Sequence, residues 1–256
     1  MNRFSLEGKK GLIVGVANNQ SIAYGCARAV REQGGELALT YLNDKARPHV
    51  EPIARELEVP LLLPCDVTRD EQVDELFDSI RRQWGKLDFL IHSIAYAPLE
   101  DLHGRLIDSS RDGFLMAMDV SCHSLMRLCR RAEPLMVDGG SIIAMSYLGA
   151  RRVVEDYNLM GPVKAALESS VRYLASELSQ QRIRVNAISP GPIATRAASG
   201  LANFDRLLEK SAEGAPLSRK LDIHDVGSLA AFLLSDAAGV ITGETLHVDA
   251  GYHVMD

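Results

Sequence analysis

GLIVGVANNQSIAYGCARAVREQGGELALTY, residues 11 to 41, carries the pattern by which the rest of the chain is read. It opens on an apolar run, GLIVGV (11 to 16), turns through polar residues, continues as a helix-period segment (21 to 33) and closes on a second apolar run, ELALTY (36 to 41). That is one β-α-β unit. Five further apolar runs of strand length follow: PLLLPC (60 to 65), LDFLIHS (87 to 93), SIIAMS (141 to 146), RIRVNAIS (182 to 189) and ETLHVDA (244 to 250). Helix-period segments separate them, at 45 to 58, 70 to 84, 111 to 137, 157 to 180 and 223 to 235. Strands that are apolar throughout, rather than alternating, are covered on both faces. The expected fold is therefore α/β, one domain over residues 1 to 256 with a doubly wound, parallel, seven-stranded sheet and helices on both sides.

Composition narrows the function. With 46% hydrophobic and 24% charged residues, a chain of 256 residues can bury a full core. A net charge of −6 offers no basic footprint for nucleic acid or an anionic membrane. Cys26, Cys65, Cys122 and Cys129 form no C-x-x-C pair and lie in apolar stretches, so buried free thiols are expected. The seven histidines show no metal-ligand spacing, and no metal is expected. MNRFSLEGKK has no signal-peptide pattern and no stretch approaches eighteen apolar residues, which predicts a soluble cytoplasmic protein.

Two long loops break the alternation, residues 94 to 110 after the fourth strand and 190 to 220 after the sixth. Both fall at carboxyl ends of strands, where open α/β sheets bind ligands, and the second reads as a lid. The first β-α turn, GVANNQSIAYG, suits a dinucleotide pyrophosphate, as in a Rossmann-like fold: Gly15 lets the backbone approach, Ser21 is placed to cap the helix, and Gly25 lets that helix lie close to the sheet. The usual G-x-G-x-x-G is missing. The second strand ends at Tyr41 with no acidic residue directly after it for a ribose 2′-OH; Asp44 lies further on, and Lys45 and Arg47 could meet a 2′-phosphate. NADH and NADPH both stay open on these residues. Asp66 and Val67, leaving the third strand, could border the adenine.

Chemistry is concentrated in YLGARRVVEDYNLMGPVK, residues 147 to 164. Tyr157 and Lys164 are seven residues apart. On a helix that is roughly 20° short of two turns and about 10 Å along the axis, so a phenol and an ammonium would share one face.

Read together in order, GVANNQSIAYG, CDV (65 to 67), HSIAYAP (92 to 98), SYLGA (146 to 150), YNLMGPVK (157 to 164) and VNAISPGPIATRAASG (185 to 200) resemble the NADH-dependent enoyl-acyl-carrier-protein reductases of bacterial fatty acid synthesis. These are a divergent branch of the short-chain dehydrogenase/reductase superfamily. Ordinary members of that superfamily keep Tyr and Lys four apart with a Ser thirteen before the Tyr; counted back from Lys164, those positions are Met160 and Tyr147. The resemblance implies hydride transfer from NADH to the β-carbon of a trans-2-enoyl thioester. It implies that Tyr157 hydrogen-bonds the thioester oxygen, Lys164 holds the nicotinamide ribose, and Tyr147 shapes the pocket or assists. It further implies cofactor contacts from Gly15, Ser21, Ile22, Asp66, Val67, Ile94, Lys164, Ile193, Ala194, Thr195, Arg196 and Ala197. The implied substrate side comprises Ala97, Tyr147, Tyr157, Met160, Ala198, Leu201 and Phe204. The substrate would arrive on acyl carrier protein, and the chain would assemble as a homotetramer through its long helices and last strand.

Ala95, Tyr96 and Leu42 depart from residues common in that family and put chain-length preference in question. Two other functions remain in view. One is an NAD(P)H-dependent carbonyl reductase or alcohol dehydrogenase, with Tyr157 protonating a ketone oxygen. The other is a catalytically silent dinucleotide sensor or scaffold, against which an intact Tyr157 and Lys164 argue.

Overall fold

The structure, a computed structural model, describes residues 2 to 195 and 203 to 255. Seven strands form one sheet: β1 (Lys10–Val14), β2 (Glu36–Tyr41), β3 (Leu61–Pro64), β4 (Phe89–His92), β5 (Gly140–Met145), β6 (Ile183–Pro190) and β7 (Thr245–Val248). Their order is β3-β2-β1-β4-β5-β6-β7, and every pair is parallel. All seven expected strands are present. The apolar runs are continuous because each inner strand feeds two cores. Leu12, Leu90, Ile142 and Val185 point into one, while Ile13, Ile91, Ile143 and Ile188 point into the other.

The first core lies under α3 (Asp70–Trp84), α5 (Arg111–Met118), α6 (Ser124–Ala132) and α7 (Met160–Glu177). The second lies under α1 (Ile22–Glu32), α2 (Arg47–Glu56) and α9 (Ile223–Leu234). A Cβ on Gly25 would collide with the main chain of Ile223, and one on Gly227 with the main chain of Gly25. Gly25 thus lets α1 touch α9, a helix, rather than the sheet, which corrects the sequence reading.

Three helical expectations change. The segment 111 to 137 is not one helix: a π-helical turn, Asp119–His123, separates α5 from α6. Its wider ring lets the Ser121 hydroxyl accept from Tyr96 N–H (2.9 Å) and donate to Tyr96 O (3.0 Å), tying the 94-to-98 loop to the helix. The loops at 94 to 110 and 190 to 220 contain α4 (Leu99–His103) and α8 (Phe204–Gly214). Lastly, α7 begins at Met160 and not at 157, because Asp156 (φ 62°) and Asn158 (φ 35°) adopt left-handed backbone on either side of Tyr157. Tyr157 belongs to a turn that precedes the helix.

Candidate active site

Strand order reverses between β1 and β4, and a cavity of about 510 Å³ opens at the carboxyl ends of the strands around that point. Gly15 leaves β1 with φ 113°, and a Cβ there would collide with the carbonyl oxygen of Ser93, so only glycine fits where the β1 and β4 chains converge. Ser21 is the N-cap residue of α1, but its hydroxyl donates back to Asn18 O (2.6 Å) instead of accepting from the first turn. Ser21 and Ile22 line the cavity, so the positive end of α1 faces it without a side-chain cap. A pyrophosphate fits such a cradle.

Lys164, on the second turn of α7, is 4% exposed and donates to Met145 O (2.6 Å). Burial lowers its pKa to about 8, with Cys122 and Glu168 acting the other way. Tyr157 is buried too, and loss of solvent, followed by the neighbouring Tyr147, raises its pKa far above the ordinary phenol value. Tyr147 is raised for the same leading reason. The two rings stand 4.7 Å apart at 56°. Both phenols therefore stay protonated at neutral pH and are suited to donating hydrogen bonds rather than to acting as bases. Asn158 anchors the Tyr157 turn by donating to Leu102 O (3.0 Å).

The cavity gathers Gly15, Ser21, Ile22, Ile94, Ala97, Tyr147, Tyr157, Met160, Lys164, Ile193, Thr195 and Phe204 from the sequence-derived set. Tyr157 and Lys164 meet there as expected, although not on one helical face. Asp66 and Val67 are not on its wall. Asp66 accepts from Thr68 N–H (3.0 Å) and Oγ (2.7 Å), and Val67 O accepts from Arg127 (2.8 Å). Ala194 is exposed and off the wall. Arg196, Ala197, Ala198 and Leu201 lie outside the described residues. After β2, Arg47 pairs with Glu51 of its own helix (3.8 Å), and Leu42 is exposed away from the cavity. Ala95 and Tyr96 do line it.

Sequence reasoning overlooked the supports behind this wall. Ser146 lines the cavity and donates to the buried Glu168 carboxylate (2.7 Å), which also pairs with Arg151 (3.0 Å). The i, i+4 step from Lys164 to Glu168 was the available signal. His92, fully buried at the end of β4, contacts Ser124 Oγ (2.7 Å). Ser124 already donates to Val120 O (2.6 Å), so the imidazole must be the donor through Nε2, leaving a bare Nδ1 without a partner among the described residues. Burial and then the Lys164 charge lower the His92 pKa to about 3. All four cysteines are buried free thiols, with Cys26, Cys65 and Cys129 pushed up to about 12 by burial. Among the described residues no cluster of three or more His, Cys, Asp or Glu could hold a metal, and no helix is long and apolar enough to cross a membrane.

A family model described as enoyl-(acyl carrier protein) reductase matches residues 15–253. The chain is 48% identical over 250 residues to an NADH enoyl-[acyl-carrier-protein] reductase of Rhizobium meliloti, covering 98% of this chain and 92% of that one. A reductase of the same kind from Anaplasma phagocytophilum, solved in complex with NAD, superposes with a TM-score of 0.94 at 50% identity, covering 98% and 95% of the two chains. The Bacillus cereus reductase, solved with NADP+ and an indole naphthyridinone, gives a TM-score of 0.96 at 45% identity, with 98% of each chain covered. Near-complete coverage at this identity, on the same parallel sheet, places the chain in the enoyl-(acyl carrier protein) reductase family.

Proposed function

We propose that this protein is an NADH-dependent oxidoreductase that saturates the 2,3-double bond of trans-2-enoyl thioesters carried on acyl carrier protein, in fatty acid elongation. The observation that carries the reading is one cavity holding a protonated phenol, Tyr157, a buried ammonium, Lys164, and the uncapped amino end of α1. Bound NADH would supply the hydride to the β-carbon, leaving an enolate whose α-carbon then takes a proton from solvent to complete the saturated acyl chain. As charge moves onto the thioester oxygen, the Tyr157 hydroxyl donates to it, an interaction stronger in the transition state than in the substrate. Lys164 binds the nicotinamide ribose hydroxyls and adds positive charge beside the phenol. Tyr147, its ring tilted against that of Tyr157, forms the wall next to the reacting carbons, with Met160, Ala97 and Phe204 continuing it toward the acyl chain. On the cofactor side, Gly15, Ser21, Ile22, Ile94, Ile193 and Thr195 take the pyrophosphate and nicotinamide ends. Residues 190 to 220 serve in this reading as the substrate-binding loop and lid; Arg196 and Ala197, assigned to the cofactor, and Ala198 and Leu201, assigned to the substrate, lie outside the described residues.

The remaining assignments belong to the same reading. The chain works as a single reductase domain in the cytoplasm. It assembles as a homotetramer, consistent with the exposed apolar Leu115, Met116, Met126 and Tyr173 on α5, α6 and α7. Adding NADH or NADPH separately to crotonyl and acetoacetyl thioesters tests the reaction. Oxidation of NADH with the crotonyl substrate is the expected result, with NADPH slower. Consumption with only the keto substrate would assign a carbonyl reductase instead, and none with either would leave a silent binding protein.

A further inference from the structure

Two consecutive turns of α7 grip two consecutive residues at the end of β5. Lys164 donates to the carbonyl oxygen of Met145 (2.6 Å), and one turn later Glu168 accepts from the hydroxyl of Ser146 (2.7 Å). The next residue along the chain is Tyr147, which packs on Tyr157. Glu168 is 4% exposed, a carboxylate that the fold has taken out of water. A buried charge of that kind persists only when it is paired and hydrogen-bonded. Its partners are Ser146 on one oxygen and, on the other, Arg151 (3.0 Å), whose side chain is half exposed.

We propose that Glu168 is a positioning residue of the reductase site: the buried counter-charge to Lys164 and the clamp that fixes Ser146, and through it Tyr147, against the cavity. This rests on the reading of the cavity given above. Lys164 and Glu168 are i, i+4 neighbours on one helix face, and nothing about helix formation requires either to be buried. Lys164 is faced from β4 by His92 and from the π-helical turn by Cys122. Glu168 is faced by Arg151, and His247 of β7 feels both of these charges, with His253 and Asp249 beyond it. Only Glu168, in that set, is a carboxylate beside Lys164. Removing its charge favours loss of the Lys164 proton, and removing Arg151 does the reverse.

The test follows NADH affinity against pH by equilibrium titration, alongside steady-state reduction of crotonyl thioester. Wild-type affinity is expected to decline as pH rises through about 8, where Lys164 loses its proton. Glu168→Gln keeps an acceptor for Ser146 without the charge and is expected to move that decline about one pH unit to the acid side. Arg151→Met, a change at a half-exposed side chain, is expected to move it to the alkaline side, which gives a reading even if Glu168→Gln folds poorly. Glu168→Asp keeps the charge but shortens the reach, so the decline stays in place while kcat falls. Declines that coincide in wild type, Glu168→Gln and Arg151→Met would overturn the proposal, as would shifts of the same sign in the two variants. Wild type that binds NADH but does not reduce the enoyl thioester would sink the assigned reaction and leave this charge pairing standing.

Discussion

Gly149→Ala puts a single methyl group against the ring of Tyr157. Gly149 lies in the short helical turn Leu148–Ala150, outside the left-handed region, so its backbone accommodates alanine. The added Cβ would fall 2.7 Å from Cε1 of Tyr157 and nearer still to Cδ1. Carbon atoms rest at about 3.5–4.0 Å, so the ring must retreat by about 1 Å. It cannot slide freely, since the Tyr147 ring stands 4.7 Å away and Tyr157 is 8% exposed. A misplacement of about 1 Å in a catalytic group lowers turnover on the order of 10²-fold. The phenol keeps its hydroxyl and Lys164 is untouched, so the loss belongs in kcat with crotonyl thioester, and the NADH dissociation constant stays near wild type. Steady-state NADH oxidation and an equilibrium NADH titration separate the two. Unchanged kcat would refute the claim that the position of this ring limits turnover. Equal losses in kcat and NADH affinity would show that the turn serves the cofactor instead.

Two further outcomes are expected. Tyr157→Phe removes one donor to the thioester oxygen and should lower kcat by roughly 10²–10³-fold while sparing NADH affinity, whereas Lys164→Ala should lower both; equal patterns in the two variants would contradict their separate roles. Folding holds the His92 pKa at about 3. As pH falls, the unfolded chain takes up this proton first, near its ordinary value of about 6.5, so stability present above that pH is lost progressively toward pH 3, at about 1.4 kcal/mol for each pH unit between the two values. His92→Asn removes the titrating ring and should flatten Tm against pH over that interval, and curves of equal slope would refute the assignment.

The inner strands were legible because burial on both faces forces continuous apolar runs. Less could be read where one residue acts against the local pattern. Asp156 and Asn158 interrupt what looks like an unbroken helix from 157, although both are residue types that tolerate left-handed backbone, and that was the overlooked signal. The π-helical turn leaves no trace in apolar spacing, since Met118, Cys122 and Leu125 still fall at three- and four-residue steps. Tyr157 and Lys164 were identifiable by type, and the cavity unites them. Their supports were not. Glu168 reads on paper as a solvated helix residue, and only tertiary packing turns it inward to Ser146. Asp66 and Val67 follow β3 where the sequence put them, and only the turn geometry shows that Asp66 Oδ1 accepts from Thr68.

The wide turn at Asp119–His123 places one residue outside the helical count. Deleting that residue would restore a regular coil and leave the helix beyond it in register, because the wide turn absorbs one extra residue locally. Leu125 and Leu128 would keep their places in the core, while Ser121 would release Tyr96 at the cavity rim. The irregularity therefore answers to the loop rather than to the core, and a shorter helix could be had only by giving up that clasp.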